Sequence, residues 1–156
     1  MSQGSEMVLR WSGYADDLII HSTSTTANKS QLRKIIYVGS KDFDQLQEFE
    51  KKGYAVLQTL KAKALTTLLS TWDEQRDGVL DAILIDDQLL PRLLLEDIDK
   101  IRNSHPFRHI PVVAFAKKKD KLALHAINSL HIDDYEPYPI RIDALVAKIN
   151  VFHTLK

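Results

Sequence analysis

The 156-residue sequence contains no cysteine. Disulfides, thiolate nucleophiles and cysteine-ligated zinc or iron–sulfur centres are therefore excluded, and the composition agrees with a reducing compartment. An excess of charge is also missing, because 21 Lys and Arg balance 21 Asp and Glu. No global field draws the chain to nucleic acid or to an anionic membrane. No apolar run approaches the roughly 20 residues needed to cross a bilayer, and the N-terminus lacks the apolar core of a signal peptide. The expectation is a soluble, cytoplasmic protein that binds neither membrane nor nucleic acid directly. Glycine occurs only five times, and no Gly-rich loop of phosphate-binding length is present.

What is there is ordinary globular material: 44% hydrophobic and 27% charged residues, enough to build one core in one domain. The first thirty residues differ from the rest. Val8 to Ile20 carries Val8, Leu9, Trp11, Tyr14, Leu18, Ile19 and Ile20, too apolar for simple disorder. It reads as a short strand or an extra helix that packs on the main domain or on a partner. His21 to Ser30, HSTSTTANKS, is a Ser/Thr-rich linker with almost nothing to bury. Residues 1–31 thus form an appendage and linker, and residues 32–156 the domain.

From Leu32 the pattern alternates regularly. Lys34 to Val38 is a short apolar run stopped by Gly39-Ser40, as a buried strand would be. Phe43, Leu46 and Phe49 mark the inward face of a helix closed by Lys51-Lys52-Gly53, with Gly53 available for a left-handed cap. Tyr54 to Leu60 is a second strand. Leu65, Leu68, Leu69 and Trp72 mark a second helix, expected to end around Gln75 to Gly78. The unbroken aliphatic run Ala82-Ile83-Leu84-Ile85 suits the centre of a parallel sheet covered on both faces, and it stops at Asp86-Asp87. Leu94, Ile98 and Ile101 give a third helix, Ile110 to Ala116 a fourth strand, and Leu124, Ile127 and Leu130 a fourth helix. Ile132 to Tyr138 holds a fifth strand, and Ile142, Leu145, Ile149 and Phe152 a fifth helix.

Five strands alternating with five helices imply a parallel α/β sheet, since each parallel connection needs a crossover. About 120 residues for five βα units matches the flavodoxin-like (βα)5 doubly wound fold, strand order 2-1-3-4-5. Ligands there meet the sheet outside the carboxyl ends of the strands, at the switch between the first and third. The segments to interrogate are Gly39 to Asp42, Asp86 to Pro91, Ala116 to Lys119 and Tyr135 to Pro139.

DAILIDDQLLP (Asp81 to Pro91), IPVVAFA (Ile110 to Ala116) and DDYEPYP (Asp133 to Pro139), in this order and spacing, resemble the receiver (CheY-like) domains of bacterial response regulators. The likeness spans residues 34–152. It implies a phosphoryl-accepting site of four parts. An acidic pair ending the first strand holds Mg²⁺, and an aspartate ending the third is the nucleophile. A Ser or Thr ending the fourth binds a phosphoryl oxygen, and a lysine ending the fifth pairs with the phosphate. Transfer to a carboxylate crowds negative charge, so a hard cation and a fixed ammonium must offset it.

Against that pattern the acidic pair falls on Gly39 and Ser40, the hydroxyl on Ala116, and the lysine on Tyr138. Only the aspartate remains: counting forward from Asp81 selects Asp86, and counting back from Pro91 selects Asp87. Losing one electrostatic stabiliser costs about 2.7–4 kcal/mol in such sites, and three stations are missing together. The reading is a degenerate receiver, not an enzyme and without a cofactor, that acts as a protein–protein interaction module in two-component-type signalling. Its partner is a protein or an output domain, and the chain is either a whole single-domain protein or a module of a longer one. Receivers dock or dimerise through the fourth helix, fifth strand and fifth helix, which implicates Leu122, Ala126, Tyr135 and Val146. Tyr135 falls on the family's switch aromatic, whose coupling to the fourth strand is cut by Ala116.

Two alternatives stand beside this reading. One is an atypical receiver, Mg²⁺-dependent, phosphorylated on Asp86 or Asp87. The other is a flavodoxin-like binder that holds a nucleotide or other anion on Gly39-Ser40 and Lys117 to Lys119. His105 and His109 are four apart, but Pro106 between them breaks a continuous helix, and no third metal ligand is evident.

Overall fold

The aliphatic run at the middle of the sequence is the middle of the molecule: all seven residues from Leu80 to Asp86 are buried. The computed structural model describes residues 6–7, 18–21, 33–39, 46–86, 95–103, 109–116, 121, 125, 128–129, 132–137 and 140–154. In chain order the strands are β1 (Glu6–Met7), β2 (Leu18–His21), β3 (Arg33–Val38), β4 (Tyr54–Thr59), β5 (Leu80–Asp86), β6 (Val112–Ala116) and β7 (Asp134–Pro137). The helices whose bounds fall among the described residues are α1 (Leu46–Lys51), α2 (Ala62–Ser70), α3 (Glu74–Asp77), α4 (Leu95–Asn103) and α5 (Ile142–Thr154); Lys121, His125, Asn128 and Ser129 are helical as well.

The strands form one sheet in the order β1-β2-β4-β3-β5-β6-β7. The five from β3 onward are mutually parallel, and among themselves they have the expected order 2-1-3-4-5. β2 adds antiparallel to the outer edge of β4, and β1 pairs antiparallel with β2. Of the apolar N-terminal segment, Leu18 to Ile20 is therefore strand and belongs to the same sheet as the domain. Residues 8–17 lie outside the described residues.

Strand side chains alternate between faces, which divides the core into two layers. Ile36, Val38, Ile83 and Ile85 pack with Leu65 and Leu68 of α2 and Ile98 and Ile101 of α4. Ile35, Tyr37, Leu84, Val113 and Phe115 pack with Phe49 of α1 and with Leu145 and Ile149 of α5. Of the helical stripes read from spacing, Phe49, Leu65, Leu68, Leu69, Ile98, Ile101, Ile142, Leu145 and Ile149 are buried, and Trp72 and Phe152 are partly so. Phe43, Leu94, Leu124, Ile127 and Leu130 lie outside the described residues.

The ends of the helices follow local chemistry. Gly53 takes φ 90°, and its N–H donates to Glu50 O at 3.0 Å, closing α1 as expected. The second helix differs from expectation, stopping at Ser70 and restarting as α3. Thr71 Oγ1 turns back to Leu68 O at 3.1 Å. Asp73 then caps a new turn by accepting from Gln75 N at 3.0 Å. Such side chains offer the backbone partners that compete with helix continuation.

The amino-terminal end of the sheet carries its own charge cluster. Arg33 Nη1 donates to Asp81 Oδ2 at 3.0 Å, while Asp81 itself is 1% exposed. That bond and the carboxylate charge hold the Arg33 guanidinium above its ordinary pKa. Tyr54, close by, is pushed up by burial first and by Asp81 second. Lys52 and Asp143 meet at 2.8 Å, tying the end of α1 to the start of α5. Among the described residues no helix is long and apolar enough to cross a membrane.

Candidate functional site

The carboxyl ends of β3 and β5 lie side by side, because Val38 is in register with Ile85. Gly39 and Asp86 follow one residue on, so the crevice holds a backbone without a side chain beside a carboxylate. Asp86 is fully buried, and Tyr37 is 1% exposed. Tyr37 Oη donates to Asp86 Oδ2 at 3.0 Å. A carboxylate taken out of water needs such a donor, since an unpaired buried acceptor costs about 1–3 kcal/mol and a charged one more.

Tyr37 reaches Asp86 by lying over Gly39. Residues i and i+2 of a strand share a face, so the phenol projects along β3 across the glycine. A Cβ placed on Gly39 would lie 2.5 Å from Tyr37 Oη, 2.6 Å from Tyr37 Cζ and 2.9 Å from Asp86 Cβ. Among the described residues Gly53 and Gly78 are the glycines with positive φ; Gly39 is needed for room. The tyrosine thus stands in the volume that any side chain at position 39 would require. Its ring also packs against Phe115, with centroids 5.9 Å apart.

The backbone of Gly39 is tied as tightly. Its N–H donates to Thr59 O at 3.0 Å, and its carbonyl accepts from Gln58 Nε2 at 2.7 Å. Gln58 and Thr59 are both buried. The polar atoms at the top of β3 are consequently committed to neighbouring strands.

Of the residues singled out by sequence, Gly39 and Asp86 come together here. Ala116 is the last residue of β6, paired with Pro137. Ser40, Asp87, Tyr138 and Lys117 to Lys119 lie outside the described residues. Tyr135 is on β7, half-buried against the α2–α4 layer, and its carbonyl accepts from Lys148 Nζ at 2.7 Å. Val146 is half-buried against the opposite layer. Leu122 and Ala126 lie outside the described residues. His109 is exposed in a turn, and His105 lies outside the described residues. Among the described residues no group of three His, Cys, Asp or Glu is placed to hold a metal ion.

Sequence reasoning missed Tyr37, Gln58 and Thr59. Tyr37 reads as one more apolar strand residue until its i+2 partner is noticed to be glycine. Gln58 and Thr59 act on Gly39 through parallel pairing of β3 with β4, which no local pattern announces.

On the far edge of the sheet, Lys148 of α5 reaches Glu136 at 3.1 Å and Asp134 at 3.6 Å. Beside it a groove of about 360 Å³ is lined by Asp134, Ala147, Lys148, Val151 and Phe152. Val151 is 55% exposed there.

No family model matches the sequence, and no curated protein matches it. Solved structures do. The receiver domain of the TMAO respiratory system response regulator TorR is 19% identical, with a TM-score of 0.58, covering 80% of this chain and 99% of that one. A two-component response regulator from Clostridium difficile is 21% identical, TM-score 0.56, over 80% of this chain and 97% of that one. The receiver domain of the Pseudomonas aeruginosa sensor histidine kinase PA1611, with magnesium coordinated in its active-site cleft, is 20% identical, TM-score 0.56, over 78% of this chain and 97% of that one. The fold of this chain is that of a receiver domain.

Proposed function

We propose that this chain is a receiver-fold interaction module of two-component-type signalling, in which Asp86 is a structural hydrogen-bond acceptor and not a phosphoacceptor. The observation that carries the reading is the Tyr37 hydroxyl on Asp86 Oδ2, with the same ring filling the room above Gly39. A divalent cation at such a site needs several oxygen ligands held at 2.0–2.6 Å or so. Here a neutral phenol sits on the carboxylate, and position 39 supplies no oxygen from a side chain.

Signalling then runs through surfaces. The β7–α5 edge is the docking face we favour, because it joins an exposed Val151 and an apolar groove to a Lys148 and Asp134 rim. Its partner is a protein, an output domain or a second copy. A second reading, phosphorylation on Asp86, draws on that residue's place at the end of the central strand.

An amide NMR titration with Mg²⁺ and a phosphate analogue separates the two. We expect no saturable shifts at Gly39, Asp86 or their strand neighbours. Saturable shifts confined to those amides would contradict the proposal.

A further inference from the structure

Among the described residues β7 is the last strand of the sheet, and its register shows which of its main-chain groups face outward. A parallel strand aims the N–H and C=O of successive residues alternately at its two neighbours. Phe115 is in register with Glu136, and Ala116 with Pro137. Pro137 has no N–H to give β6, so the main-chain groups of Glu136 turn inward and those of Tyr135 and Pro137 turn to the open side. A proline whose nitrogen faces the open side is the arrangement that an edge strand tolerates.

Both outward groups of Tyr135 are already taken by charged side chains. Its N–H donates to Asp134 Oδ1 at 2.7 Å, and its C=O accepts from Lys148 Nζ at 2.7 Å. That ammonium is no loose surface charge. It also meets Glu136 Oε1 at 3.1 Å and Asp134 Oδ2 at 3.6 Å, and the Glu136 side chain is 6% exposed. A buried carboxylate thus anchors the donor that covers the edge.

From these contacts we infer that Asp134, Lys148 and Pro137 close the β7 edge against strand addition. A partner that docks at this end of the molecule meets side chains and does not extend the sheet. An edge strand with open N–H and C=O groups is a template for another chain. Here an incoming strand would exchange two charge-assisted hydrogen bonds, about twice as strong as neutral ones, for two neutral ones. It would find no donor at Pro137, and it would strip Lys148 of its main-chain acceptor. The closure holds whether or not a partner docks on α5, so it stands apart from the function proposed above.

An open-edge variant of the full chain tests this. Lys148→Met frees the Tyr135 carbonyl, and Asp134→Ala frees its N–H. Glu136→Gln, made with them, avoids leaving a buried carboxylate unpaired. Removing two acids and one base from 21 of each leaves 20 bases against 19 acids, so the variant gains net charge and lost repulsion cannot draw its copies together. Self-association is expected to be roughly tenfold tighter than in the native chain, the worth of about one ordinary hydrogen bond regained. Sedimentation equilibrium measures it, and exchange of the Tyr135 amide should slow as protein concentration rises. A variant that associates no more tightly than the native chain, or whose Tyr135 amide exchanges at one rate at every concentration, overturns the inference. So does concentration-dependent protection of that amide in the native chain.

Asp134→Ala alone covers the case in which the triple variant fails to fold. Asp134 is part-exposed, and its loss leaves the ion pair of Lys148 with Glu136 in place. The Tyr135 amide, without its cap, should exchange several-fold faster than in the native chain at low protein concentration. A rate equal to the native one would show that Asp134 does not cover the edge, and closure is refuted.

Discussion

The substitution Gly39→Ala isolates the steric claim, because it adds one methyl group and no charge. That carbon would come within 2.5 Å of Tyr37 Oη and 2.9 Å of Asp86 Cβ. The ring cannot swing into water: Tyr37 is 1% exposed and sits against Phe115. Inserting a carbon into such a core costs about 1–3 kcal/mol. Tyr37→Val removes the ring, with a cost of roughly 2–4 kcal/mol from the cavity and the lost bond to Asp86. If the two side chains compete for one volume, the double variant escapes the part of the overpacking penalty that the ring imposes and keeps only the 2.9 Å approach to Asp86 Cβ. Its destabilisation then falls short of the sum of the two single effects by about 1–3 kcal/mol, the size of that penalty. Urea unfolding of the four proteins, with m-values compared to check two-state behaviour, measures the difference. Additivity within about 0.5 kcal/mol would refute the account of Tyr37 as the occupant of the space above Gly39.

Gln58→Ala leaves the buried carbonyl of Gly39 without the amide that now lies at 2.7 Å, and a loss of about 1–3 kcal/mol is expected in the same assay. The Asp143 carboxyl is held below the usual aspartate pKa, chiefly by the hydrogen bond from Lys52 and then by its charge. Its contribution is therefore present above the unfolded-state pKa and lost as pH falls through the lower folded value; Asp143→Asn should flatten the acid limb of stability against pH. Tyr54 shows the opposite sign. Its raised pKa, due to burial first and Asp81 second, gives stability that is complete below the free tyrosine value and lost as pH rises through the folded one. Tyr54→Phe should weaken the alkaline loss of stability, and ultraviolet titration should show one fewer late-ionising phenol.

How much of this was legible in the sequence depends on the range of the interactions. Ala82 to Ile85 announced a central strand because a strand covered on both faces has no polar alternation to keep. Gly53 announced the end of α1, since the left-handed turn it makes is local. The end of α2 was misjudged because Trp72, buried in part against the α2–α4 layer, continues the apolar spacing past Ser70. The backbone there leaves the helix for the caps of Thr71 and Asp73. For Val8 to Ile20, strand and helix were both open, and pairing of Leu18–His21 with β4 is a contact some forty residues away in sequence. At the site, the positions of Gly39 and Asp86 followed from counting along strands. The meaning of Tyr37 did not, because it arises from two strands in register: its own glycine at i+2 and the carboxylate next door.

The reading of Asp86 is tested most directly by intact-mass measurement of the chain after incubation with Mg²⁺ and acetyl phosphate, alongside Tyr37→Val. The account predicts an unmodified mass for the native sequence. A phosphoryl increment on the native chain, mapped to Asp86 or Asp87, would contradict it.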